Sequence, residues 1–461
     1  NWPHLDEVPE LLGELASVQM HAVQTSGNCV RNVTTDQFAG VAPDEIEDPR
    51  PYCEIIRQWS TFHPEFAFLP RKFKIAVCGS QEDRAAIRAH DIGIELVRNS
   101  SGEIGLRVLV GGGLGRTPLI GAVIADWLDR KHMLTYIESI LRVYNLFGRR
   151  DNKHKARIKI LVKAMGIDAF RAAVEKEWAL LKDGPATLTE EEFARAASFF
   201  TPPSYREHDG KASAQALAGM CAADGIFGNW VQRNTRPHRV PGYRSVTVSL
   251  KATGYAPGDV TAEQLELLAD LADEYSFGEL RTTHQQNMVL ADVESERLPD
   301  LWRTLQAAAL ASPNIGYLTD IICCPGGDYC SLANAKSIPV AEAIQARFED
   351  LDYLYDIGSL ELNISGCMNA CGHHHIGHIG ILGVDKKGQE FYQICLGGSQ
   401  SNDAAVGQIL GPSFSQEDVP DVIGKILGAY VDLREEEETF LQTFRRVGID
   451  PFKEQVYAST D

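Results

Sequence analysis

The residues best suited to chemistry are four cysteines on two short segments, CCPGGDYC (Cys323–Cys330) and SGCMNACG (Ser365–Gly372). Cys324 and Cys330 are spaced C-x5-C, and Cys367 and Cys371 are spaced C-x3-C. Loops rich in Gly and Pro let several thiolates converge on a compact metal centre, and four thiolates suit a 4Fe–4S cluster. A structural zinc site, two disulfides or unrelated buried thiols are the competing readings. Zinc ribbons favour tighter C-x2-C knuckles. Ten cysteines in a large chain without a signal-peptide pattern fit thiols and metal ligands better than a disulfide framework. Cys323 falls outside the spacing and is read as a bystander thiol.

A second set of residues with chemical potential lies in LPRKFKIAV (Leu69–Val77), where Lys72 and Lys74 alternate along an expected strand and share a face. Two such lysines are more often solvated surface than a site. VGGGLG (Val110–Gly115) follows an expected strand but lacks the G-x-G-x-x-G order of a dinucleotide loop. In GHHHIGH (Gly372–His378), adjacent histidines on an extended segment alternate faces, so His373, His374 and His375 are read as supporting or surface residues. The basic run RRDNKHKARIK (Arg149–Lys159) is either a docking patch for an acidic electron donor or a solvated helix start.

The elements that must position these residues repeat. IGIELVRNSSGEIGLRVLVGGG (Ile92–Gly113) and IGILGVDKKGQEFYQICLGG (Ile379–Gly398) each read as strand, polar turn, strand and glycine cluster. MGIDAF (Met165–Phe170) matches VGIDPF (Val447–Phe452), and the helix-like VPELLGELA (Val8–Ala16) matches LPDLWRTLQ (Leu298–Gln306). The offsets of 290, 287 and 282 residues nearly agree, which argues for an internal duplication. Before the Leu298 helix comes a compact α+β segment. It comprises a strand at Tyr243–Lys251, a helix at Thr261–Ser276 opening on a Thr-x-x-Gln capping box, and strands at Phe277–Thr283 and Asn287–Val293. Equivalence of the halves places a matching first segment upstream of Val8, so the chain is expected to be a fragment. Leu119–Arg130 and Lys155–Leu181 read as helical, and Thr201-Pro-Pro breaks regular structure. The expected fold class is α+β, with antiparallel strands and flanking helices.

With 461 residues, 44% of them hydrophobic, the chain can bury cores for two or three domains. Its formal net charge of −19 disfavours nucleic acid or anionic membrane as the main partner, since phosphate neutralisation needs clustered cations. No apolar run is long enough to span a bilayer. A cytoplasmic location is the expectation.

C-x5-C followed about forty residues later by C-x3-C, with Asn369 inside the second pair, resembles the signature of sirohaem sulfite and nitrite reductases. The similarity runs over nearly the whole chain and includes its duplicated layout. The resemblance implies ferredoxin-like α+β segments, the first largely missing, together with sirohaem/4Fe–4S-binding α+β domains. The corresponding boundaries are a remnant at 1–24, a first sirohaem-binding domain at 25–185, a linker at 186–235, a second ferredoxin-like half at 236–310 and a cluster domain at 311–461. It implies that Cys324, Cys330, Cys367 and Cys371 bind the cluster and that Cys371 also bridges to the sirohaem iron. It matches Arg31 of SGNCVRN (Ser26–Asn32), Lys72 and Lys74 to residues that contact the oxyanion substrate. Asn369, Gln286 and Asn287 of RTTHQQN (Arg281–Asn287), and the backbone at Gly112 and Gly113, are expected against the sirohaem and its carboxylates. A further arginine of the family pattern belongs to the upstream segment.

The implied activity is reduction of sulfite to sulfide, which takes up six electrons and six protons, with nitrite to ammonia as the alternative. Lys-x-Lys at Lys72 and Lys74 is the family's sulfite pattern, whereas nitrite reductases tend to carry Lys-x-Asn. No flavin or nicotinamide motif is present, so a ferredoxin or flavoprotein reductase is the expected donor. A non-catalytic iron–sulfur electron carrier would need the cysteines but not Arg31, Lys72 and Lys74.

Overall fold

The computed structural model describes residues 3–25 and 27–458. Ser26 of the SGNCVRN segment and the extreme ends of the first and last expected domains lie outside the described residues. The chain divides into two compact units. Unit 1 comprises Asn1–Gly40, Glu45–Gly113 and Leu119–Pro202, and unit 2 comprises Val41–Asp44, Leu114–Pro118 and Pro203–Asp461.

In unit 1, α1 (Val8–Ser17), β1 (Val30–Thr34), α2 (Arg50–Ser60) and β2 (Phe73–Cys78) are followed by β3 (Ile92–Arg98), β4 (Ile104–Val110) and β5 (Ala122–Asp129). Four helices complete it: α3 (Met133–Phe147), α4 (Ile158–Met165), α5 (Ile167–Leu181) and α6 (Glu190–Ala197). The sheet order is β1-β2-β3-β4-β5. β1, β2 and β3 are parallel, and β3, β4 and β5 are antiparallel. The expectation of antiparallel strands therefore holds for only part of the sheet. Parallel neighbours require a crossover, which α2 supplies between β1 and β2. Val30, Phe73, Ile75, Ile92 and Leu106 from the sheet bury against Tyr136, Ile140 and Tyr144 of α3.

Unit 2 opens with α7 (Gly210–Ala223), α8 (Gly225–Asn234), β6 (Thr235–Pro237), β7 (Tyr243–Val248), α9 (Ala262–Tyr275), β8 (Leu280–Thr282), β9 (Met288–Glu294) and α10 (Leu298–Ala307). Thr261 caps α9 in a full capping box with Gln264, as the sequence predicts. β6-β7-β9-β8 form an antiparallel sheet whose core includes Val246, Leu290, Leu268, Leu301 and Leu305. The rest comprises β10 (Ile322–Cys323), α11 (Gly326–Tyr329), α12 (Ile338–Arg347), α13 (Leu351–Ile357), β11 (Leu362–Ser365), β12 (Ile379–Lys386), β13 (Gln389–Leu396), β14 (Gln408–Ile409), α14 (Val419–Leu433), α15 (Phe440–Val447) and α16 (Asp450–Tyr457).

The sheet β10-β11-β12-β13-β14 repeats the first one strand for strand: two parallel pairings, then two antiparallel. α3 corresponds to α14. The matched GIDAF and GIDPF segments each turn one helix into the next through a glycine at positive φ, Gly166 at 80° and Gly448 at 76°. The duplication read in the sequence is thus a duplication of topology. Leu119–Arg130, expected as a helix, is instead the edge strand β5. Lys155–Leu181 is helical from Ile158, broken at Gly166.

One glycine of the second sheet carries a stability test. A Cβ on Gly380 would collide with the His374 carbonyl oxygen and reach within 2.6 Å of Cys395 Sγ. Gly388, in the β12–β13 turn, has open space around it and φ of 83°. Gly380→Ala is expected to destabilise by about 2–4 kcal/mol as the backbone is pushed apart, against roughly 1 kcal/mol for Gly388→Ala from φ strain alone. Urea-denaturation midpoints decide it; equal effects at the two positions would refute the packing argument.

Candidate functional site

The two cysteine segments leave the carboxyl ends of adjacent parallel strands, since β10 and β11 pair with Cys323 beside Ile364. Their loops interlock backbone to backbone. Asn334 and Ala335 N–H donate to the Gly366 carbonyl at 2.8 and 3.0 Å, and Gly327 N–H donates to the Ala335 carbonyl at 2.9 Å. A Cβ on Gly366 would lie 2.6 Å from the Ala335 oxygen and 2.8 Å from Gly326 Cα, so only glycine permits this approach. Gly366 N–H in turn donates to Cys324 Sγ at 3.1 Å. A hydrogen bond to a ligand sulfur is one way a protein tunes a cluster.

Cys367 is buried, Cys324 and Cys330 are half-buried, Cys371 is exposed, and none of the ten cysteines is in a disulfide. Among the described residues no three His, Cys, Asp or Glu side chains converge as a single-ion site requires. Four thiolates on one zinc would hold their sulfurs about 3.8 Å apart at a Zn–S length near 2.3 Å. A cubane assigns each thiolate to a different iron, so its four ligands need not converge on one point. Cys323 differs in kind. It is buried, and burial pushes its thiol well above the usual range. Asn369 is exposed in the turn between Cys367 and Cys371.

Gln286 and Asn287, expected against the cofactor, direct their amides to the polypeptide. Gln286 accepts from Cys323 N–H at 2.7 Å and donates to the Cys323 carbonyl at 2.8 Å. Asn287 accepts from Leu250 N–H at 3.1 Å and donates to Asp320 Oδ1 at 3.0 Å. Asp320 also receives the fully buried Lys251 ammonium at 2.8 Å. This network fixes the strand that delivers Cys324. Sequence reasoning missed Lys251 and Asp320, because nothing in their spacing announces a buried ion pair.

In unit 1, Val30 and Phe73 pair across β1 and β2 and point into the core. The pleat therefore turns Arg31 and Lys72 with Lys74 to the opposite face. Arg31 Nε is buried without a hydrogen-bond partner. Burial pulls the Lys72 ammonium below its ordinary range, and Lys74, Arg157, Arg31 and Arg71 add repulsion in the same direction. The balancing charge is the buried Asp91, which accepts Lys74 N–H at 2.8 Å and pairs with Arg157 through two bonds of 2.9 and 2.6 Å. Lys159 donates to the Gly113 carbonyl at 3.1 Å, and burial lowers it to about 8. Gly113 N–H donates to Leu119, so this glycine's amide is engaged and its carbonyl positions Lys159. At Gly112, a Cβ would collide with the Arg88 carbonyl oxygen.

Arg157 and Lys159 are the residues that the reading of Arg149–Lys159 as a docking patch or solvated start missed. Their alternation about the buried Ile158 was the available signal. The face gathers Arg31, Lys72, Lys74, Arg157 and Lys159 near the Asp91 carboxylate. An orphaned buried guanidinium N–H among excess cations is what an anionic ligand would satisfy.

The pH dependence follows from Lys159. Its lowered value means that it is partly neutral at pH 8.5 without a ligand, and a bound oxyanion favours its charged form. Oxyanion binding at that pH is therefore expected to take up protons, read as calorimetric enthalpies that differ between HEPES and Tris buffers. Lys159→Met should remove most of the difference; an undiminished difference in this variant would refute the assignment.

The profile described as "Nitrite and sulphite reductase 4Fe-4S domain" matches residues 26–181 and 317–460. "Nitrite/Sulfite reductase ferredoxin-like half domain" matches residues 236–308. Sulfite reductase (ferredoxin) 1 of Mycolicibacterium paratuberculosis is 27% identical over 95% of this chain and 73% of its own length. The chloroplastic ferredoxin–nitrite reductase of Arabidopsis thaliana is 26% identical over 94% of this chain and 70% of its own length. The solved structure of the Mycobacterium tuberculosis NirA protein superposes with a TM-score of 0.76 and 27% identity, covering 97% of this chain and 76% of that one. Among the described residues no helix is long and apolar enough to cross a membrane. The chain belongs to the nitrite and sulfite reductase family, whose cofactors are sirohaem and a 4Fe–4S cluster.

Proposed function

We propose that this protein reduces sulfite to sulfide with electrons from a ferredoxin, using Cys324, Cys330, Cys367 and Cys371 as cluster ligands and Cys371 as the bridge to sirohaem. When bound, the cofactor pair would supply the stored electrons and the redox-active iron for the reduction. Arg31 holds substrate oxygen through its otherwise unpartnered guanidinium N–H. The observation that carries the sulfite reading is the Lys72 and Lys74 pair on one cationic face. Near neutral pH sulfite is divided between monoanion and dianion, the dianion gaining as pH rises, whereas nitrite stays a monoanion, so each additional cation favours sulfite.

Lys72 also fits proton delivery. Its Nζ is disfavoured as ammonium by burial and by four neighbouring cations, so it gives up a proton to a departing oxygen more readily than an ordinary lysine. Over a turnover, sulfite, six electrons and six protons yield sulfide and three waters. Asn369, exposed beside Cys371, is free to hydrogen-bond the sirohaem. Gln286 and Asn287 act on the same centre by holding the Cys323–Cys324 strand. Gly112 and Gly113 serve by close packing and by placing Lys159.

Nitrite reduction to ammonia is the second reading, favoured by the ferredoxin–nitrite reductases at 26–27% identity. The test compares kcat/KM for sulfite and nitrite in the cofactor-replete protein with a chemically reduced viologen. A sulfite preference of at least about tenfold is expected, moving toward nitrite in Lys74→Asn. A wild-type preference for nitrite would overturn the assignment while leaving the cofactors in place.

A further inference from the structure

Unit 2 contains a cavity of about 270 Å³ on the face of the β10–β14 sheet away from its core. Ile381 and Ile394 point into the core, so the pleat turns their neighbours Leu382 and Gln393, a cross-strand pair, into the cavity. His374 lies over Gly380, whose missing Cβ admits its backbone. The His374 ring is 1% exposed, lines the cavity, and neither of its nitrogens has a hydrogen-bond partner. Burial holds it neutral, near 3, so it offers one donor and one acceptor. His375 Nε2 donates to the Gly115 carbonyl at 2.9 Å and ties Gly115–Pro118 down as the rim. Arg116, on that rim, is exposed and has no ion-pair partner among the described residues. Leu382, Val406 and Ile409 supply apolar wall.

The duplicated sheet shows that this arrangement is particular to the second copy. The positions equivalent to Leu382 and Gln393 are Glu95 and Arg107, which pair with each other at 3.0 Å across β3 and β4. In the second copy the paired positions are neutral, and among the described residues lining the cavity the cation comes from the Arg116 rim. A buried, unsatisfied imidazole costs free energy unless a polar partner reaches it. Apolar walls disfavour a fully hydrated inorganic oxyanion, and a rim guanidinium favours a carboxylate.

We propose that this cavity binds a carboxylate carried on an apolar body, with Arg116 holding the carboxylate, His374 supplying the buried hydrogen bond and Leu382, Val406 and Ile409 packing the body. Two sources share this chemistry: a carboxylate arm of sirohaem, or a small free organic acid. The first rests on the proposed function; the second does not.

The test uses benzoate as probe in calorimetric titration of the cofactor-replete protein, with sirohaem and cluster iron per chain measured for each variant. Benzoate binding that weakens about tenfold or more in Arg116→Gln and His374→Leu, and is lost in the cavity-filling Leu382→Trp, assigns the site to a free acid. Absence of benzoate binding, with sirohaem content at least halved in Arg116→Gln and His374→Leu but cluster iron intact, assigns it to the cofactor arm. Benzoate binding indifferent to these variants overturns the proposal, as does no binding with unchanged sirohaem content. Arg116 is exposed, so its variant should fold in any case. A protein that holds no sirohaem would defeat the proposed function, yet the benzoate arm would still decide the cavity.

Discussion

Cys371→Ser is expected to lose most of its cluster iron and to lower sulfite turnover on the order of a thousandfold, while Cys323→Ser keeps both near wild type. The contrast follows from the two environments. Cys371 is exposed at the end of a tight turn in which Ala370 and His373 both have positive φ, 56° and 57°. A Cβ on Gly372 would collide with the Ile364 carbonyl oxygen, so the turn is fixed from behind and the side chain at 371 is held in place. Serine preserves that shape but does not ionise near neutral pH, and an un-ionised hydroxyl is a poor ligand for cluster iron. Losing a residue that merely supports a metal ligand costs about 10–100-fold, and losing a ligand that also bridges to the catalytic metal should cost more. Cys323, one residue from Cys324 in sequence, points into the core and stays protonated. Gln286→Leu gives an intermediate case, because it strips two hydrogen bonds from the Cys323 backbone and leaves a buried N–H and C=O unsatisfied. A loss of about 2–4 kcal/mol in stability and partial iron is expected there. Iron and acid-labile sulfide analysis, visible absorbance and viologen-driven turnover read all three. Cys371→Ser with wild-type iron and turnover would remove this cysteine from the centre.

These contrasts also show which parts of the site a sequence can display. The cysteine spacing is legible because both loops are short and each is fixed by local turns, so order along the chain maps onto position in space. The duplication is legible because β3, β4, β12 and β13 alternate cleanly and pair in long regular ladders. β5 is not legible. It pairs with β4 through two irregularities, around Leu106/Val108 and Val108/Leu109, which break the two-residue alternation and leave Trp127 40% exposed. Its apolar residues then fall at spacings that suit a helix. Asp91, Arg157 and Lys159 were invisible as a group for another reason. They come from separate elements, and only the fold reveals that a carboxylate between β2 and β3 organises cations from the start of α4. His374 is a third case. A run of three histidines suggested surface or supporting roles, and only packing shows that the middle ring is sealed in and unsatisfied.

Lys72→Met is expected to lower kcat for sulfite by about 10²–10³, with a smaller effect on KM, because the role proposed for Lys72 is proton donation and transition-state charge stabilisation rather than docking. Arg31→Gln should act mainly on KM, and Arg31→Lys should rescue it poorly, since an ammonium cannot present the in-plane Nε–H that is orphaned in this structure. With Lys72 as the proposed proton donor, activity is expected to fall as pH rises through the Lys72 value. That value lies below the ordinary lysine range, first from burial and then from Lys74, Arg157, Arg31 and Arg71. Removing one of those cations must raise it. In Lys74→Asn the alkaline limb of kcat should therefore move to higher pH, even as kcat/KM for sulfite declines through weaker binding of the dianion. A purely structural role for Lys74 would change the height of the profile and leave the limb in place. Movement of the limb in the opposite direction would show that the proton donor is another group, and Lys159, with its value near 8, would be the first to test.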